Sequence, residues 1–158
     1  MASHKSMKPL NPFRQTPGLC GPACLKILLS HYGQEFSESE LATLCNATVE
    51  HGTDHADMID AVRRLGFEPF TRADATMEEV NSYLLDETPV IVGWWSTDGD
   101  HYSIVYEIDE ESVYLMDPET EEGTRTLSIE EFLTHWYDFD GPENLRVESW
   151  MMVIKNTP

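Results

Sequence analysis

Residues 14–33 read RQTPGLCGPACLKILLSHYG, and the fold turns on them. A turn-like Thr16-Pro17-Gly18 leads into Cys20-Gly21-Pro22, and an apolar run follows. Ala23, Leu25, Ile27, Leu28 and Leu29 cover nearly every helical face, interrupted only by Lys26, Ser30 and His31. A helix that is apolar all round is a central one. Gly21 and Pro22 suit its start, because a proline in the first turn lacks an N–H that would have no intrahelical partner anyway. Gly33 suits the position after its end. The stretch therefore predicts a buried helix with Cys20 at its mouth. There a thiol faces unpaired N–H groups and the positive end of the macrodipole, and both favour the nucleophilic thiolate. Cys24 and Cys45 occupy apolar helical positions and read as small buried hydrophobes.

Working outward, the first half of the chain reads as helices. Ser37 and Glu40 have capping-box spacing, with Phe36 and Leu41 as the staple, for a helix running to about Cys45. A third helix starts near Thr53 or Asp54, carries Met58, Ile59, Val62 and Leu65 on one face, and stops at Gly66. Thr76 and Glu79 box a fourth. The second half changes period. The continuous apolar run PVIVGWW (89–95) predicts an interior strand. HYSIVYEI alternates, with Tyr102, Ile104, Tyr106 and Ile108 expected on one face. SVYLMD follows an acidic turn at Asp109-Glu110-Glu111, which makes a hairpin. TRTL suggests another strand, Ser128 and Glu131 box a last helix, and RVESWMMVIK closes the chain as one strand. Helices first and an antiparallel sheet later predict an α+β domain. Residues 14–158 are expected to form that single domain, behind a flexible segment 1–13.

The chain has 158 residues, enough for one self-sufficient core. Its 10 Lys and Arg face 29 Asp and Glu, for a net charge of −19. Nucleic acid and anionic membrane are poor partners for such a chain, since both need cationic neutralisation. No run approaches the length of a membrane span, and MASHKSMKPLNPF lacks the apolar region of a signal peptide. An odd cysteine count without an export signal argues for reduced thiols and a cytoplasmic location.

A thiolate nucleophile needs an imidazole, and the imidazole needs an orienting acceptor. His4 falls in the N-terminal segment, and His31 and His135 fit helix ends. His51 and His55 have i,i+4 spacing, which can serve either a metal or hydrogen bonding at a helix entry. His101 stands where the loop STDGD meets a strand. Asp117 ends the next strand. With a turn centred near residues 109 and 110, positions 101 and 117 come out roughly opposite, at one end of the sheet. Gln15, five residues before Cys20, could add an amide donor to the Cys20 backbone N–H at an oxyanion. Trp94, Trp95 and Tyr102 are candidates to wall a substrate cleft, with core packing as the competing role. Asp98 and Asp100 could attract a basic peptide or form a solvated turn.

The sequences QTPGLCGPACLKILLSHYG, GTD…DAVRRLGF and ETPVIVGWW…DHYSIVYEID…VYLMDPE together resemble the bacteriocin-processing peptidases, family thirty-nine of the cysteine peptidases. The resemblance covers residues 14–137. It implies a papain-like fold, a peptide or protein substrate cut after a Gly-Gly pair, and no metal or organic cofactor. It implies Cys20 as nucleophile, His101 as base, Asp117 as its orienting carboxylate and Gln15 at the oxyanion. Many relatives have one more residue between the glutamine and the cysteine, so a tight turn at Pro17-Gly18 is expected here. The family's domains often begin an exporter, and this one is expected to stand alone. Acyl transfer or deamidation with the same triad, and peptide binding without catalysis, remain open alternatives.

Overall fold

The computed structural model describes residues 9–97 and 99–155. The predicted central helix is α1 (Cys20–His31), and eight of its residues are buried. Gly33 follows it at φ +86°, the left-handed conformation that glycine adopts without strain. The capping signals also formed helices. Ser37 and Glu40 make a full box at α2 (Glu38–Leu44). Asp54 precedes α3 (His55–Arg64). Thr76 caps α4 (Met77–Leu85), and Ser128 caps α5 (Ile129–His135).

The strands are β1 (Glu68–Arg72), β2 (Val90–Ser96), β3 (Gly99–Ile108), β4 (Ser112–Met116), β5 (Thr124–Ser128), β6 (Tyr137–Asp140), β7 (Leu145–Glu148) and β8 (Trp150–Lys155). Six of them form one antiparallel sheet in the order β1-β8-β2-β3-β4-β5, and β6 and β7 form a separate ribbon. Helices cover both faces. Leu25, Leu28, Leu41, Met58 and Val62 from α1, α2 and α3 pack with Ile91, Ile104 and Met152 on one face. Val80, Leu84 and Phe132 from α4 and α5 pack with Val92, Val105 and Val153 on the other. The central strands are buried on both sides, which is why PVIVGWW and WMMVIK are continuously apolar instead of alternating. The chain is thus the expected α+β domain, though α4 lies across the sheet from the first three helices.

Four expectations need correction. β1 and β6 were not foreseen. β1 holds Pro69 at the sheet edge with mostly exposed neighbours, and β6 is four residues with an acid at every second place. RVESWMMVIK is two strands, because Ser149 turns the chain at φ +48° and donates its N–H to the Trp136 carbonyl. The single face expected for β3 is broken by a bulge between Val105 and Glu107. Tyr102 and Ile104 therefore face α1, while Ile108 joins the opposite cluster. Finally, of the segment 1–13, residues 1–8 lie outside the described residues. Within 9–13, Leu10 is buried in the core and Phe13 packs against it.

Leu28 sits at the centre of α1 with no exposed surface. Leu28→Ala should lower unfolding stability by about 2–5 kcal/mol, the usual range for emptying a core leucine site. Urea unfolding of both forms measures it.

Candidate active site

Cys20 is the first residue of α1, is half-buried, and has no acidic residue with it in the first turn. Nothing on the helix therefore cancels the positive end of its dipole. The turn before it is tight. Leu19 N–H donates to the Thr16 carbonyl at 3.0 Å, and Gly18 has φ +84°. A Cβ on Gly18 would come within 2.6 Å of the Val49 carbonyl oxygen, so only glycine fits. Thr16 is clamped from α2, where Glu38 accepts from both its N–H and its hydroxyl at 2.7 Å.

The same turn carries Gln15. Its N–H donates to the Pro118 carbonyl at 2.9 Å, which ties the loop to the residue after Asp117. Gln15 lines the cleft together with Cys20 and His101. Its Nε2 makes a 3.4 Å bond to the Thr16 carbonyl, and its Oε1 is buried without a partner.

His101 and Asp117 are both buried, and His101 Nε2 lies 2.6 Å from Asp117 Oδ1. The ladder does not put them opposite one another. Ile104 pairs with Met116, and the pairing shifts by one at the bulge. Continuing that register brings Asp117 nearest Ser103, and His101 reaches it along the diagonal, within range of a long side chain. Asp117 is fixed by its own N–H to the Gly123 carbonyl at 2.9 Å and by the Glu119 N–H to Oδ1 at 3.0 Å. Arg125 Nε stands 2.9 Å from Oδ2 as an ion pair without hydrogen-bond alignment.

These contacts set the charges. Burial opposes protonation of His101, but the hydrogen bonds to Asp117 and Cys20 and the charges of both override it. The imidazole pKa is pushed up to about 10. Burial likewise works against the Asp117 carboxylate. The His101 hydrogen bond and charge, the Glu119 N–H and Arg125 outweigh it, and its pKa is lowered. The other thiols are different. Burial first, then the charges of Cys20 and Asp117, raises Cys24 well above its ordinary value. Burial and Asp57 push Cys45 up to about 12.

The cleft encloses about 450 Å³. Tyr102 and Asp100 line it. The tryptophans do not. Trp94 is buried on the opposite sheet face with its Nε1 donating to Ser103 Oγ at 2.9 Å. Trp95 stacks on Tyr137 at 5.8 Å and meets Phe139 edge-on. Both follow from strand alternation within a sheet covered on both faces. Asp98 lies outside the described residues, as does His4.

Sequence reading missed two groups. Arg125 sits beside Asp117 because β5 pairs with β4, and a lone arginine in TRTL gave no sign of it. His55 opens α3 and hydrogen-bonds there, as its helix-entry reading expected, but its distant partners were not foreseen. It is buried, 2.6 Å from Asp138 Oδ2, 3.4 Å from Asp140 Oδ2 and stacked on Trp150 at 4.0 Å. His51 turns away, reaching Asp54 Oδ1 at 3.2 Å.

The helix layer, the antiparallel sheet and the cysteine at the central helix mouth make this a papain-like α+β fold. The comparisons then specify the group. The model of the Peptidase C39 family matches residues 15–139. The chain belongs to that family, which is one of cysteine peptidases. It is 28% identical over 127 residues to the lactococcin-G-processing and transport ATP-binding protein LagD of Lactococcus lactis, covering 78% of this chain and 17% of that protein. It thus spans under a fifth of that curated relative. It is also 35% identical over 99 residues to an uncharacterized protein of Methanothermobacter thermautotrophicus, covering 63% of this chain and 64% of that one. The peptidase domain of Streptococcus ComA, a bi-functional ABC transporter, superposes with TM-score 0.74 at 21% identity over 92% of this chain and 98% of that domain. A double glycine motif protease from an AMS/PCAT transporter, solved with a leader peptide, superposes at 0.72 and 18% identity over 94% and 93%. Among the described residues, no helix is long and apolar enough to cross a membrane.

Iodoacetamide at pH 6 should modify Cys20 alone in the folded protein, because Cys24 and Cys45 are buried with raised pKa values. Peptide mapping checks this. Equal labelling of all three thiols, or none, would contradict it.

Proposed function

We propose that this chain cleaves a peptide bond with Cys20 as nucleophile, His101 as acid and base, Asp117 as the carboxylate that orients His101, and Gln15 at the oxyanion. The observation that carries the reading is the buried 2.6 Å bond from His101 to Asp117, with the other side of the imidazole hydrogen-bonded to Cys20. An imidazolium held between a sulfur and a carboxylate favours thiolate and keeps the ring in one orientation.

The steps follow from those positions. The Cys20 thiolate adds to the scissile carbonyl. The resulting oxyanion accepts hydrogen bonds from the Cys20 N–H and the Gln15 amide. As the carbon–nitrogen bond breaks, His101 gives its proton to the leaving amine. An acyl-enzyme thioester remains. His101, now neutral, takes a proton from water, and the hydroxide so generated attacks the thioester. Collapse releases the acid and restores the thiolate–imidazolium pair. Asp117 stays ionised throughout, because its role is to hold the ring and its charge. A Gly-Gly pair is the proposed cleavage signal, supported by the double glycine motif protease among the similar structures. A reducing, cytoplasmic setting suits a nucleophile that works as a free thiol.

Cleavage of Gly-Gly leader-type peptides, followed by mass spectrometry of both fragments, tests the reading. Cys20→Ala should abolish it, and Gln15→Ala should lower kcat by about 10²–10³, the usual loss of one oxyanion donor. Wild-type cleavage unchanged in Cys20→Ala would reject it.

The pH profile gives a second test. His101 is raised to about 10, so the productive ion pair persists through neutrality and is lost as pH rises through that value. Rate should therefore fall on the alkaline side near pH 10. Asp117→Asn removes the group whose hydrogen bond most raises His101, so that limb should move down by about 1–3 in pH. A limb that stays in place would contradict the role given to Asp117.

A further inference from the structure

One wall of the cleft carries negative charge that the chemistry above does not use. Glu50, Asp54, Asp100 and Asp138 line it, and no lysine or arginine does among the described residues. Acidic residues at a surface often mean only solvation, but Asp138 is different. It is 4% exposed, its Oδ2 is 2.6 Å from His55 Nε2, and its Oδ1 is buried with no hydrogen-bond partner. β2 makes room for this carboxylate at Gly93, where any Cβ would overlap Asp138 Oδ2. A buried carboxylate oxygen without a donor costs free energy until something supplies one.

Asp100 lies beside it on the residue before His101. The Phe139 N–H donates to its Oδ1 at 2.8 Å. Its carboxyl is nevertheless raised, by partial burial first and then by the charges of Asp138 and Asp140, against the lowering effects of that N–H and of His55. The wall is therefore short of positive charge. Asp54 closes its edge, accepting from the Gly141 N–H at 3.2 Å and reaching His51 at 3.2 Å. Tyr102 joins the wall to the reacting centre, since its hydroxyl donates to the Thr53 carbonyl at 2.9 Å and its neighbour is His101.

We propose that this wall is a subsite for a cationic group of the bound peptide, held between Asp138 and Asp100 with Asp54 at its rim. The chemistry is that of an ammonium or guanidinium, from a lysine or arginine side chain or from a free peptide N-terminus. Such a group brings both the missing donor for Asp138 Oδ1 and the missing charge. The chain's net charge of −19 draws cations toward it over longer range. The inference rests on the peptidase reading and adds a charge preference to it.

The test uses N-acetylated Gly-Gly peptides in which each position flanking the cut carries, in turn, lysine, norleucine or glutamate. Norleucine keeps most of the lysine stem without its charge. At one position lysine should raise kcat/KM about tenfold over norleucine, equal to about 1.4 kcal/mol. The ratio should shrink as salt is added, and glutamate should fall below norleucine. The lysine-to-norleucine ratio should approach one in Asp138→Asn and drop in Asp100→Asn. The second variant keeps the test open if the first fails to fold. Peptides with free N-termini separate the two sources: a preference that appears only with them assigns the site to a terminal ammonium. Binding of the same peptides to Cys20→Ala, read by fluorescence anisotropy, separates the two readings. Cleavage without any preference for a cation overturns the subsite alone. If no peptide is cleaved, the peptidase reading fails, and tighter binding of lysine than norleucine peptides would still support the subsite while equal binding would overturn it.

Discussion

The bond between His101 and Asp117 is the constraint on which the rest of the site depends. Both side chains are almost wholly removed from water. An unpaired charge in such a place is costly, so each needs the other. The structure meets that need from several directions. The Glu119 N–H and Arg125 stabilise the carboxylate, and Cys20 stabilises the imidazolium from its far side. Removing any one leaves a buried charge short of a partner.

Two rigid elements bring the pair to the sulfur. The apolar surface of α1 fixes that helix against β3, so the helix mouth cannot drift from the strand that carries His101. The Gln15 loop, in contrast, has little core of its own. It is held by discrete bonds, to Glu38 at one side and Pro118 at the other. The Pro118 bond ties the Gln15 loop to the residue after Asp117. A tight turn at Gly18 lies between Gln15 and Cys20.

What was legible in the sequence follows from the range of each signal. Ser37, Thr76 and Ser128 announced their helices because a cap is satisfied within one turn of chain. The apolar run after Cys20 announced a buried helix because burial on all faces needs apolar residues on all faces. His101 and Asp117 were found together because a hairpin links them locally; the register was off because the turn centres between Glu110 and Glu111, with Ile108 facing Val113, and the bulge at Tyr106 recovers only one residue of that slip. The pair of His55 with Asp138 spans 83 positions and two elements, so nothing near either residue marked it. Trp94 takes the competing role of core packing: it pairs with His101 across the ladder and meets the imidazole edge-on at 5.8 Å, and its ring is buried in the cluster on the face away from α1.

The central claim is that the His101 ring is an imidazolium at neutral pH, held by the sulfur and the carboxylate together. Nitrogen-15 NMR of the histidine side chains measures it directly. The account predicts both His101 ring nitrogens protonated at pH 7, with titration near pH 10. A neutral His101 ring at pH 7, titrating near the ordinary value of about 6.5, would contradict it.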